Sequence, residues 1–183
     1  MGLTPTLTLT ERRSPWVVFT RGDDPWVYVE TAELRKSGGR VFRLDGRELL
    51  EPTALFAVFA RELGFPGYFG HNWDALVDGL HDRHDTTDSV VRIEHADGLL
   101  GADFLGVFVS ALCQAAWRAN LQLDADGVPD PDRTPFALHF VLLLDDTLPA
   151  DFAEAAGGGL DVEVSLGEGR LVATLSGEDW PEA

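Results

Sequence analysis

The stretch Phe136–Leu144 constrains the chain more than any other, because it is apolar throughout apart from His139. A strand with one face in water alternates polar and apolar residues. A short, evenly apolar run reads instead as the central strand of a sheet covered on both sides. Such a strand needs neighbours on both edges and helices or loops over both faces. The segments before it supply candidates. Val41–Leu44 is a short apolar strand closed by the turn signal Asp45-Gly46. Glu51, Pro52 and Thr53 open a helix whose Leu55, Phe56, Phe59 and Leu63 share one face, and Gly64 stops it. Asn72 caps a second helix that runs to about His81. Ser89–Glu94 reads as a buried strand, and Ala102–Asn120 as a long amphipathic helix. The Asp-, Pro- and Gly-rich segment 124–135 is an exposed loop.

Strand, two helices, strand, helix, strand is an order that predicts a small α/β domain with a parallel sheet and right-handed crossovers. Two β-hairpins are expected as additions. One pairs Trp16–Thr20 with Trp26–Glu30 about the turn Arg21–Pro25. The other pairs Val162–Leu166 with Leu171–Leu175 about Gly167–Gly169, after a helical piece at Phe152–Ala156. The expected organisation is therefore an N-terminal hairpin extension at 1–40, a main domain at 41–145, and a C-terminal extension with its hairpin at 146–183.

Charge narrows the function. Of the 183 residues, 31 are acidic and 14 basic, giving a net charge of −17. A surface this acidic repels phosphate backbones and speeds encounter with basic proteins, so direct nucleic-acid binding is not expected and a basic protein partner is. The single cysteine, Cys113, lies in an apolar helical stretch, which suits packing in a reducing compartment. No signal-like start and no apolar run of bilayer length is present, so the chain reads as cytoplasmic, with no membrane partner.

Catalytic signatures are missing. There is no His-Glu-x-x-His, no calcium-loop spacing, no cysteine pair and no Gly-x-Ser-x-Gly, and Gly157–Gly159 precedes a strand rather than a helix. His71, His81, His84 and His95 lie among several aspartates, but in no metal-ligand spacing. No enzyme activity, cofactor or metal is expected.

The informative stretch is Pro66–Leu80. At about 100° per helical residue, Asp74, Asp78, His81 and Asp85 fall in one outer stripe, while Trp73, Leu76, Val77 and Leu80 face inward. Asp74, in the first turn, gains from the helix dipole; Asp78 lies beyond that help. Like charges one turn apart cost a few tenths of a kcal/mol, so a helix built only for stability would avoid them. Just before it, Tyr68 and Phe69 stand in a glycine-flanked loop. Carboxylates beside rigid aromatics suit a surface that grips a cationic partner. The alternative on pattern alone is a solvated acidic face with the aromatics folded beneath it.

The run Arg61-Glu62-Leu63, Pro66, Tyr68-Phe69-Gly70, Asn72, Asp74-Ala75-Leu76 and Asp78 resembles the signature of the barstar family, inhibitors of microbial ribonucleases inside the producing cell. The likeness spans about residues 41–145. It implies a three-stranded parallel sheet flanked by helices. It also implies a 1:1 complex in which the second helix and the preceding loop plug the active site of a basic microbial ribonuclease. In that case Asp78 is the central anchor, standing in for a substrate phosphate, and Asp74 meets a second basic group. Tyr68 packs near the enzyme's catalytic histidine, with Phe69 beside it, and Trp73 adds apolar contact. Gly70 and Asn72 shape the loop and the start of the helix. Val77 stands where the family often has an aromatic, and His81 where it often has a small hydroxyl residue; both belong to the implied contact face. A further family acid has no clear counterpart between Ala102 and Asn120. An immunity protein of the same fold, directed at a delivered toxin that is not a classical secreted ribonuclease, such as a ribonuclease-like toxin, would carry the same acidic helix.

Overall fold

The computed structural model describes residues 7–66, 70–81, 86–121, 123–124, 126, 128–157, 161–167 and 170–175. Its strands are β1 (Val17–Arg21), β2 (Arg40–Asp45), β3 (Ser89–Glu94), β4 (Leu138–Leu144), β5 (Val162–Gly167) and β6 (Arg170–Leu175). Its α-helices are α1 (Pro25–Lys36), α2 (Pro52–Leu63), α3 (Trp73–His81), α4 (Leu105–Leu121) and α5 (Pro149–Ala156). Turns of 3-10 helix follow β2 at Gly46–Glu48 and β3 at Ala96–Gly101.

The expected three-stranded sheet is one of six strands, in the order β2-β3-β4-β1-β6-β5. β2, β3, β4 and β1 are all parallel; β6 runs antiparallel to β1, and β5 antiparallel to β6. Every residue of β4 is buried. Its even side chains, Leu138, Phe140, Leu142 and Leu144, join the larger core with α2, α3, α4 and α5. Val141 and Leu143 join a smaller core on the opposite face with Val27 and Leu34 of α1 and with Leu7 and Leu9. The two-sided cover demanded by the Phe136–Leu144 run is thus real, and the N-terminal third of the chain supplies one side of it.

The expected N-terminal hairpin is not formed. Trp26–Glu30 lies within α1, and β1 pairs with β4 and β6 instead. Capping chemistry and periodicity outweigh the strand-like composition. Asp24 accepts the Trp26 amide at 3.0 Å, Pro25 fills the first helical turn, and Val27, Thr31 and Leu34 bury one helical face. β1, α1 and β2 then make a crossover on the smaller-core side, whereas α2 to α4 link β2, β3 and β4 on the other. Gly64, at φ 69°, closes α2 in the left-handed conformation that favours glycine. Gly46 is required by proximity: a Cβ there would stand 2.7 Å from the His95 carbonyl oxygen.

The N- and C-terminal segments are tied together by Asp24. Its carboxylate accepts from Thr20 Oγ1 at 2.7 Å and from Arg170 Nη2 at 2.8 Å, and the Arg170 guanidinium stacks 4.8 Å from the Trp26 ring centroid. Segments 1–40, 41–145 and 146–183 therefore contribute strands to one sheet.

Candidate functional site

Helix α3 starts where Asn72 Oδ1 accepts the Ala75 amide at 2.8 Å, the side-chain cap expected of an asparagine at that position. One face is sealed against the larger core: Leu76 and Leu80 are fully buried, and Val77 nearly so. Trp73 is half-buried, edge-on to Phe56 with ring centroids 4.8 Å apart, and within 5.7 and 6.1 Å of Phe104 and Phe108. This aromatic cluster, drawn from α2, α4 and the turn before α4, fixes the rotation of the short helix about its own axis. Rotation so fixed turns Asp74 and Asp78 outward, and both are exposed.

The loop before α3 is anchored by a residue that the sequence reading did not single out. Phe65 lies against Gly79, where an added Cβ would come within 2.9 Å of its ring. Phe65 thus seats in a notch on α3, which holds one end of the loop beside the helix. Gly70 and Asn72 are exposed at the other end, with the Asn72 amide donating to the Gly70 carbonyl at 3.0 Å. Tyr68 and Phe69, and Asp85 of the expected acidic stripe, lie outside the described residues.

Two residues of the implied contact face are not on the surface. Val77 is only 4% exposed, as its inward position in the helical pattern requires. His81, expected in the outer stripe, is also 4% exposed, and its Nε2 lies 3.0 Å from the Leu123 carbonyl oxygen. Leu123, beyond α4, lies over His81, so the 100° rule places the residue correctly while tertiary cover buries it.

Among the described residues, Asp78 has one counterion. Arg118 Nη1, on α4, lies 3.4 Å from Asp78 Oδ1; the Asp78 side chain stays 55% exposed, and that of Arg118 only 16%. A single long contact leaves most of this carboxylate facing water. Asp74 adds a second exposed carboxylate one turn earlier.

A second concave region lies at the carboxyl ends of β1, β3 and β4, where successive connections leave for opposite faces of the sheet. Such crevices hold ligands in many α/β proteins. This one, about 470 Å³ in volume, is lined by Arg21, Tyr28, Arg43, Glu94, His95 and Asp145, among others. Its polar groups are paired internally: Arg43 Nη2 donates to both Glu94 carboxylate oxygens at 3.0 Å, and His95 Nδ1 lies 2.6 Å from Asp145 Oδ2. Asp24 already occupies the start of α1, the position a phosphate would take. Cys113 is wholly buried, and burial pushes its thiol far above the ordinary range, so it is no nucleophile. Among the described residues, no three His, Cys, Asp or Glu side chains gather as a metal would require, and no helix is long and apolar enough to cross a membrane.

The surface feature that stands apart is therefore the acidic face of α3 with its anchored loop. Comparison with curated proteins found no match. Residues 39–128 match the family model described as Barstar (barnase inhibitor), so over that segment the chain is similar to the barstar family, an inhibitor family that binds ribonucleases such as barnase, as the signature at 61–80 implied.

Proposed function

We propose that this protein inhibits a basic microbial ribonuclease by seating the outer face of α3, together with the preceding loop, in the enzyme's active site. The observation that carries the reading is the pair of exposed carboxylates, Asp74 and Asp78, one turn apart on a helix whose opposite side is locked into the core. A surface fixed in this way presents charge without having to order itself on binding. Asp78 takes the place of a substrate phosphate among the enzyme's cationic residues, and Asp74 meets a second cation. Tyr68 and Phe69 supply rigid contact area, and Gly70 and Asn72 set the geometry between loop and helix. The Trp73 ring acts from beneath, by holding the helix, with Val77 and His81 behind it. The strands β2, β3 and β4, with α2, α3 and α4, form the barstar-like unit; β1, α1, α5, β5 and β6 extend it. The complex is 1:1, and a net charge of −17 draws a basic enzyme in. The reducing cytoplasm is the setting in which a lone cysteine stays free.

Titrating barnase with the full chain in an RNA-cleavage assay tests this. Activity lost at one equivalent supports the proposal, and full activity at a large excess contradicts it. Capture of partners from culture supernatant and from cell-associated toxins separates a secreted ribonuclease from a delivered one.

A further inference from the structure

Arg118 is an odd residue to find beneath an anchoring carboxylate. Its side chain is 16% exposed, and its Nε is buried with no hydrogen-bond partner among the described residues. Among the described residues its carboxylate hydrogen bond is the 3.4 Å approach of Nη1 to Asp78 Oδ1, and Asp124 also lies close enough to feel its charge. A guanidinium has five N–H donors, so a cation stripped of most of its water and holding one long side-chain hydrogen bond among the described residues is poorly satisfied there. A core designed for stability alone would place an apolar side chain here. Asp78 Oδ2, by contrast, accepts no hydrogen bond among the described residues, and the carboxylate faces solvent.

We infer that Arg118 is a built-in competitor for Asp78, a resident cation that orients the carboxylate in the free protein and weakens its grip on the partner's cation. The inference rests on the reading of Asp78 as the anchor and adds a specificity-determining residue to it. Two effects oppose each other. By holding Oδ1, Arg118 presents Oδ2 outward, which favours binding. By keeping a positive charge one carboxylate away from the docked cation, it opposes binding. The first effect is small, because a half-exposed pair at 3.4 Å has the weakness of surface ion pairs. The second acts in a contact from which water is expelled, where like charges interact more strongly. Repulsion therefore wins. A partner succeeds only by bringing a cation that reaches Oδ2 closer and better aligned than Arg118 reaches Oδ1. Weakly basic partners are rejected.

Arg118 borders a 220 Å³ cavity with His81, Thr134 and Phe136, so a shorter neutral side chain fits without a clash. The test measures affinity and dissociation rate of the full chain for barnase in wild type, Arg118→Gln, Arg118→Lys, Asp78→Asn and the double variant Asp78→Asn/Arg118→Gln. Arg118→Gln should tighten the complex by about tenfold, chiefly through slower dissociation. Arg118→Lys should restore the wild-type value by returning the charge. The gain should vanish on the Asp78→Asn background, a result that a merely structural role would not give. If Arg118→Gln melts well below wild type, Arg118→Met keeps the buried stem and serves in its place. Loss of affinity in Asp78→Asn with no gain in Arg118→Gln overturns this inference and leaves the inhibitor reading standing. Unchanged affinity in Asp78→Asn, or no binding of barnase by any of the proteins, overturns the inhibitor reading itself.

Discussion

Replacing Asp24 by Asn tests whether the terminal segments are integral to the domain. Asp24 joins three parts of the chain: it caps α1 through the Trp26 amide, accepts from Thr20 of β1, and pairs with Arg170 of β6. The Arg170 guanidinium chiefly, against the cost of burial and helped by the Thr20 and Trp26 donors, lowers its carboxyl from 3.8 to about 2. With the side chain only 10% exposed, that depression corresponds to roughly 2 kcal/mol of stability, at ~1.4 kcal/mol per pH unit. The contribution is complete above the unfolded value of 3.8 and fades as pH falls through about 2. Asn keeps a capping oxygen but loses the charge. Asp24→Asn should therefore cost roughly 2 kcal/mol at pH 7, about 4–8 °C in melting temperature for a chain of this size. Arg170→Gln should cost a similar amount, and the double variant far less than the sum, when followed by urea denaturation. The gap between wild type and Asp24→Asn should narrow as the solution is acidified below pH 4. Additive losses in the double variant, or an unchanged gap on acidification, would refute the view that this pair fastens β6 to the β1–α1 connection.

Three further outcomes follow from the same contacts. Asp78→Ala should weaken the complex with a basic ribonuclease by roughly 2–5 kcal/mol, since a desolvated cation on the enzyme loses its partner; its own stability should move by about 1 kcal/mol, because the contact to the mostly buried Arg118 is long and Asp78 itself is half-exposed. Calorimetric binding and melting experiments on the same samples read both. His139 is wholly buried, and burial lowers its pKa despite carbonyl partners at Glu11 and Pro15. The unfolded chain therefore takes up a proton more readily, so the His139 contribution is intact above about 6.5 and declines as pH falls below it. Melting temperature should drop between pH 7 and 5, and His139→Gln should flatten that slope. Gly46→Val should destabilise the protein markedly, because its Cβ would meet the backbone of His95 and Ala96 at under 3 Å; a wild-type urea midpoint would show that the two 3-10 turns part easily.

How much of this was legible depends on whether the signal is local. α2 could be read from Pro52 at its start and Gly64 at its end, and β4 from a run with no polar phase, because these are local steric and burial rules. α1 reads as a strand because Trp26, Val27, Tyr28 and Val29 have strand-like composition, and Asp24-Pro25, the decisive local cue, also fits a turn. The place of β1 between β4 and β6 could not be read, since pairing partners are remote in sequence and composition does not encode them. In the candidate site, the outward turn of Asp74 and Asp78 follows from helical spacing alone. His81 obeys the same spacing and is nevertheless buried by the Leu123 segment. Arg118 was not singled out for the same reason, since it comes from another helix and only folding brings it to Asp78.

The sheet also sets what a truncated chain can do. Residues 39–128 end before β4, so a fragment cut at those limits would lose the strand on which β3 depends. A cut at 41–145 keeps β2, β3 and β4 but removes β1, leaving the edge of β4 unpaired along Phe140–Leu144. It also removes α1 and the Leu7–Leu9 segment, uncovering Val90, Val141 and Leu143 on the opposite face. An unpaired, wholly apolar strand edge next to an uncovered apolar face invites association with other copies. The full chain should therefore unfold in one transition, with tryptophan fluorescence and circular dichroism coinciding. The 41–145 fragment should elute as soluble aggregates in size-exclusion chromatography, although it contains the whole acidic helix. A monomeric fragment that melts cooperatively and inhibits a ribonuclease as well as the full chain would show that the added strands are ornaments on a self-sufficient core. The burial of β4 on both faces argues the opposite: the terminal segments complete the core that holds α3 in position.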